Sequence, residues 1–308
     1  MINRRQFIGG VAAVVALSGC ARTQPSGTYE IASGERDGFQ SEFAELLADV
    51  PLPSGGDLRL TVRYTTGSLE NLSLLASGEV LIGLTLADSA VESATPIVAI
   101  GRVYENYLQC AVPARSPFRT MKDLRGQTIS LGAPGSGTAQ TGRRVLEASG
   151  LTLDDVTVRP VSLTTVLDSL RDGTVAAALW AGGVPTPAAM PRPGHGPDGG
   201  IRLLDLSAEY VEMRKTYGPM YEPVSVPART YGDTAETATV GVPSLLVASP
   251  QLPDSVAGAL VDLLVDRAQD LIPPDTVGAQ FLDVRSLIQT AGVPRHPGAV
   301  EAYRRHHG

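Results

Sequence analysis

The stretch from Gly132 to Leu146, GAPGSGTAQTGRRVL, is where the residue types and spacing come closest to chemistry. A phosphate loop has the form GxxxxGK[ST], with a lysine that reaches the terminal phosphates. Here Gly137 is followed directly by Thr138, so nucleotide hydrolysis is not indicated. What is left is a turn, Gly135-Ser136-Gly137-Thr138, ahead of a predicted helix. Its small residues let the backbone approach a ligand closely, and the first amides of the helix attract an anion. A second such turn, Thr65-Thr66-Gly67-Ser68, precedes another predicted helix in the other half of the chain. A cleft between the halves would bring both helix N-termini to one carboxylate, with Ser68, Asn71, Ser136 and Thr138 as side-chain donors. The plainer alternative is that Ser68 and Thr138 only cap helices and that Asn71 is a solvated helix residue.

Other chemistries find little support. His195, His296, His306 and His307 stand in no HExxH or cysteine-paired pattern, so no metal is implied. Ser136 is not in a GxSxG elbow, because Pro134 occupies the first glycine position. No cofactor motif and no reactive constellation stands out, so a binder is expected and not an enzyme. Of the two cysteines, Cys110 lies in the apolar run YLQCAV and reads as a small buried hydrophobe. A net charge of −7 argues against nucleic acid and anionic membrane surfaces as partners.

The elements that must position the two turns alternate between strand and helix. YEIAS and LRLTVRY read as strands around the helix FQSEFAELLADV, and EVLIGLTLAD reads as a buried strand after the helix that begins near Leu69. TPIVAIGRVYENYLQCAVPARS is extended and apolar enough to cross between domains. A helix from about Thr138 to Ser149 ends at Gly150, VTVRPVS is a strand, LTTVLDSLRDG a helix, and TVAAALWAGG a buried strand. Residues 184–200 are rich in Pro and Gly and read as a loop. TATVGVPSLLVAS is a long strand, followed by an amphipathic helix from Pro253 and a last short helix over HPGAVEAYRRHH. This order favours an α/β sheet, largely parallel, with ligand loops at the strand ends.

The blocks TTGSLENLSLLASGEVLIGLTLADSA, LRGQTISLGAPGSGTAQTGRRVLEASGL, LRDGTVAAALWAGGVPTPA and HPGAVEAYRR, in that order, resemble the TAXI family of TRAP-transporter solute receptors. The resemblance implies a type II periplasmic-binding-protein fold: two α/β lobes joined by hinge strands, with a ligand cleft between them. Lobe I would comprise 29–112 and 238–308, and lobe II 113–237. It further implies a monomer that captures a small organic anion or amino acid, glutamate-like or a dicarboxylate, and delivers it to a TRAP-type membrane permease. The alternatives are an NMT1-like receptor of an ABC transporter, a sensor domain, or a transferase on the same two-lobed fold.

Gly182, Gly183 and Pro185 end a strand where a binding crevice opens, and serve either close backbone approach to ligand or a simple turn. Trp180 lies two residues earlier in the same apolar run and reads as core more than as a ligand platform. Asp88 either faces the cleft or caps the segment SAVES. The first loop departs from the family, which has glycines, a threonine and then aromatic residues there. Here it reads GERDGFQS, with Gln40 and Ser41 in place of tyrosines. Arg36 could reach a solute carboxylate from this loop, or be neutralised at the surface by Glu35 and Asp37.

The chain opens NRRQFIGGVAAVVALSGCAR, a basic start and an apolar run from Phe7 to Leu17 that is too short to span a bilayer. Arg4 and Arg5 resemble a twin-arginine signal, and Leu17-Ser18-Gly19-Cys20 resembles a bacterial lipobox. The expected organisation is a signal peptide over 1–19, then a lipidated Cys20 and tether over 20–28. The domain would then be anchored outside the cytoplasm. Because acyl chains supply such attachment at ~0.8 kcal/mol per buried methylene, Cys20→Ala is expected to leave export intact and release the protein from membranes. Partition of the variant with salt-washed membranes would refute the anchor.

Overall fold

The computed structural model describes residues 24–53, 55–190, 200–232, 235–273, 276 and 282–307. The expected signal peptide, Cys20 and the start of the tether lie outside these, as does His195 in the Pro/Gly-rich loop.

Strand β1 (Ser26–Ala32) pairs in parallel with β2 (Asp57–Arg63) and β3 (Ile82–Leu86). Helix α1 (Phe39–Asp49) joins β1 to β2, α2 (Ser68–Ser77) joins β2 to β3, and the short α3 (Ala87–Glu92) follows β3 at once. A second parallel trio is built from β5 (Thr128–Ser130), β6 (Thr157–Val158) and β7 (Ala177–Gly182), with α4 (Gly137–Ala148) and α5 (Val166–Arg171) between them.

Two long antiparallel strands join the trios: β4 (Val98–Pro113) and β10 (Thr237–Ala248). β10 pairs with β3 and β4 pairs with β7, giving the order β2-β1-β3-β10-β4-β7-β5-β6. The sheet is therefore two parallel halves joined by an antiparallel pair. Beside that pair lie β8 (Ile201–Leu203), α6 (Ser207–Tyr217) and β9 (Glu222–Val226). Helices α7 (Asp254–Asp266), α8 (Val284–Leu287) and α9 (Pro297–His307) return to the first half.

β4 and β10 read as nearly continuous apolar runs because they are buried on both faces. Along β4, Ile100, Val103 and Tyr104 enter the core of the first half with Phe43 and Leu260, while Leu108 and Cys110 enter that of the second with Met121 and Val145. Phe39 and Phe43 both pack on the Tyr104 ring, at 4.7 and 5.1 Å between centroids. One strand thus ties α1 to the far half of the sheet.

The middle of β4 is polar. Arg102 donates to Glu105 Oε2 at 2.5 Å, and the Glu105 side chain is 2% exposed. Burial pushes its carboxyl up to about 7, with Glu222 adding and Arg102 opposing. Its pKa in the fold is thus above that in the unfolded chain, so its contribution is full below the ordinary carboxylate pKa and is lost as pH rises through about 7. The wild-type urea midpoint should therefore fall between about pH 5 and pH 8, with on the order of 3 kcal/mol at stake. Glu105→Gln should flatten that stretch of the profile, and an unchanged profile would assign the titration elsewhere.

Candidate functional site

The two glycine turns of the sequence meet. Gly67 has φ 120°, and a Cβ placed on it would lie 3.5 Å from the Ser136 Cα. A Cβ on Gly137 would lie 2.5 Å from Ser68 Oγ and 2.7 Å from the Leu86 side chain. Gly67 is required by its φ, and Gly137 by the Ser68 and Leu86 side chains that pack against it. The contact is hydrogen-bonded: the Leu69 and Glu70 amides donate to the Gly135 carbonyl, at 3.0 and 3.2 Å.

This corrects the symmetric expectation for the two helix ends. At the α2 N-terminus the Leu69 and Glu70 amides are spent on a protein carbonyl, with the Glu70 carboxylate reaching back to the Thr66 amide and hydroxyl at 2.7 Å each. The α4 N-terminus differs. Ser136 is its N-cap, accepting from the Ala139 amide at 3.1 Å and donating to the Ala133 carbonyl at 2.7 Å. The cap is therefore Ser136 and not Thr138, whose hydroxyl instead accepts from the Ala181 amide at 3.1 Å. No group of the described residues accepts from the Gly137 and Thr138 amides.

Those amides border a cavity of about 60 Å³ between the halves. Gly34 and Glu35 line it from the β1–α1 loop, Phe39 and Gln40 from the first turn of α1, Thr66 to Ser68 from the first glycine turn, Ser136 to Thr138 from the second, and Leu179 to Ala181 from the end of β7. Since a water needs about 10–15 Å³ of such space, the cavity suits a small solute. Trp180 is a core residue at the edge of this space. It is buried in the second-half core, its Nε1 donates to Thr186 Oγ1 at 3.0 Å, and it still lines the cavity.

Several expected site residues lie outside the lining. Asn71 is fully buried, with its amide nitrogen donating to the Ser33 and Leu84 carbonyls at 2.6 and 2.7 Å and its oxygen accepting from Thr65 at 2.6 Å. It fastens α2 to the sheet. Gly183 is needed for packing, since a Cβ there would lie 2.1 Å from the Phe39 ring. Gly182 and Pro185 neighbour it without lining the cavity, and the Val184–Pro185 bond is cis.

Arg36 stacks on the exposed side, 3.7 Å from the Tyr64 ring centroid. The reason is the turn Glu35–Gly38, closed by the Gly38 amide on the Glu35 carbonyl at 3.1 Å with Asp37 at φ 60°. Residues at the tip of such a turn project outward, and Glu35 at its base faces in. Glu35 Oε2 accepts from the Leu163 amide of the other half at 3.0 Å, and burial raises its pKa against that bond. The spacing of Glu35 to Gly38 was the available signal for its direction. Gln40 was visible only as a substitution for an aromatic residue.

Asp88 faces neither the cavity nor solvent. Its Oδ2 accepts from the Thr141 hydroxyl at 2.7 Å and the Tyr221 hydroxyl at 3.0 Å, its Oδ1 from the Ser89 amide at 2.8 Å, and Arg144 stands 3.7 Å away. Burial raises its pKa, and these donors and the guanidinium oppose that rise. Arg144 also reaches Glu92 and lies 4.3 Å from the Tyr217 ring. The cluster bolts α3 to α4 beside the meshed turns. Elsewhere His296 is buried and shared between the Leu252 carbonyl and the Gly298 amide, and Cys110 lies against Met121 in the core. Among the described residues no cluster of His, Cys, Asp or Glu could hold a metal.

Two α/β halves, each with a parallel trio, joined by two crossing strands over a cavity flanked by helix N-termini, define a type II periplasmic-binding-protein fold. A solved Bordetella bronchiseptica RB50 protein matches it with a TM-score of 0.53 at 14% identity, over 91% of this chain and 98% of that one. A Xanthomonas citri protein bound to ATP matches with 0.50 at 15%, over 91% and 99%. The alkanesulfonate-binding protein SsuA from Xanthomonas axonopodis pv. citri, bound to MOPS, matches with 0.47 at 19%, over 92% and 84%. The chain belongs to the NMT1-like family, whose model matches residues 44–306.

That membership corrects the resemblance to TAXI receptors, and the TRAP-type permease falls with it. The four blocks that carried the resemblance are glycine turns, buried strands and a terminal helix, features that this fold demands whichever family adopts it.

The Asp88 cluster makes a graded prediction. Asp88→Ala leaves the Thr141 and Tyr221 hydroxyls and Arg144 without their buried acceptor and should cost about 3–5 kcal/mol in urea unfolding. Glu92→Ala, at the half-exposed end of the same network, should cost less than about 1 kcal/mol. Equal effects would mean that the cluster is not the buried unit described.

Proposed function

We propose that the chain is an extracytoplasmic receptor that closes two lobes over a small organic anion or amino acid and hands it to an ABC-type membrane importer. The observation that carries this reading is the pair of unclaimed amides at Gly137 and Thr138, opening on a cavity walled by both halves of the chain. Such an end holds a carboxylate or similar anion without a basic side chain, through its amides and the helix dipole. Membership of the NMT1-like family favours the ABC-type importer as recipient. Lobe I would be 29–112 and 238–308 and lobe II 113–237, so that β4 and β10 act as the hinge, and Cys20 would anchor the receptor in the membrane. The role is binding without covalent chemistry.

Trp180 is the only tryptophan of the chain and lines the cavity, so its fluorescence reports occupancy directly. A small molecule released from the purified protein and identified by mass spectrometry should change that fluorescence saturably when added back to refolded protein. Gly137→Ala places a methyl carbon against Ser68 at the anion seat and should weaken binding by about tenfold or more, on the order of 1.4 kcal/mol. A protein that releases no small molecule and shows no fluorescence response to organic anions or amino acids would refute the receptor.

A further inference from the structure

We infer that the solute is a compact zwitterion, whose ammonium end is held by Glu35 and whose anionic end lies on the Gly137 and Thr138 amides. The inference rests on the receptor reading and specifies its ligand. Glu35 is the only ionisable side chain among the residues that line the cavity. It has no cationic partner among the described residues, since Arg36, one position on, is turned away onto Tyr64. One carboxylate oxygen accepts from the Leu163 amide, which leaves the other for a ligand.

Charge decides between solute classes. A dicarboxylate would set its second negative group in a small cavity whose single charged side chain is itself negative, with no lysine or arginine to compensate. A singly charged anion would leave Glu35 partly desolvated and unmatched. An ammonium opposite Glu35 removes both penalties. Between the two poles, Val161, Leu163, Val166 and Leu179 offer apolar walls that suit a short methylene spacer. The modest cavity favours a short spacer between the charged ends.

Matched probes that differ only at the cationic end test this: β-alanine against 3-hydroxypropionate, and taurine against 2-hydroxyethanesulfonate, titrated at neutral pH with Trp180 fluorescence and calorimetry. In at least one pair the amine should bind about tenfold or more tightly than its hydroxy partner. Glu35→Gln keeps an acceptor for the Leu163 amide and should erase that preference while leaving the hydroxy compound's affinity unchanged or better. Thermal unfolding of the variant, close to that of the parent, verifies the fold. Hydroxy compounds that bind as well as their amines, or a preference that survives Glu35→Gln, would overturn the zwitterion while leaving the receptor standing. If neither member of either pair binds, the inference falls, and the receptor is judged separately by the molecule the purified protein releases.

Discussion

The capture of one backbone carbonyl governs the site. Because the Gly135 oxygen accepts from both the Leu69 and Glu70 amides, most of the α2 N-terminus is closed by protein, and the attraction for negative charge falls to the Gly137 and Thr138 amides of α4 and to the Phe39 and Gln40 amides at the start of α1. Beside it Gly67 takes a φ that favours glycine, and Gly137 has no room for a Cβ against the Ser68 and Leu86 side chains. A glycine turn in front of a helix thus has two distinct uses here. One turn supplies a carbonyl and an open helix end, while the other receives the carbonyl and seals its own.

Around that contact the molecule spends polar groups where apolar ones would pack more cheaply. Asp88, Thr141, Arg144 and Tyr221 form a buried cluster between α3 and α4. Gln109, Trp180, Thr186 and Tyr231 form another behind the cavity, in which Thr186 accepts from Trp180 and its amide donates to Tyr231. Buried networks of this kind cost desolvation and return orientation. The second one fixes the Trp180 indole in the core behind the cavity.

Most of the sheet was legible because its strands are buried and its helices punctuated by glycine. The run from Thr95 to Ser116 contains β4, and α2 and α4 end at Gly78 and near Gly150, both with positive φ. The segment between Ile201 and Val226 was not legible, and the reason is local. Helix α6 buries only Glu209 and Met213, so it has no apolar stripe, and β9 contains Pro223. The strand expected over VTVRPVS shrinks to Thr157–Val158, an edge position just before Pro160, which has no amide to donate. The helix expected over LTTVLDSLRDG begins as a 3-10 turn at Leu163–Thr165, where the Leu163 amide is taken by Glu35 from across the cavity.

The candidate site was legible in its backbone and not in its side chains. Glycine spacing located both turns, because close approach leaves a compositional trace. Whether Asn71, Asp88 or Arg36 faces a solute depends on distant partners: the carbonyls of Ser33 and Leu84, the hydroxyl of Tyr221, the ring of Tyr64. None of those pairings has a period or a spacing to betray it. Glu35 was hidden in the same way, behind a neighbouring arginine of more obvious charge.

The Asp88–Arg144 cluster consists wholly of protein atoms and lies outside the cavity lining. In the receptor reading it therefore contributes the same free energy to closure whatever molecule is enclosed. Discrimination is a difference between two affinities, and a shared contribution cancels from it. Substitutions in the cluster would then raise or lower the grip on every solute together, and substitutions at Glu35 or Gln40 would reorder their ranking. Tightness and choice are assigned to separate residues, so a lineage could retune one without disturbing the other.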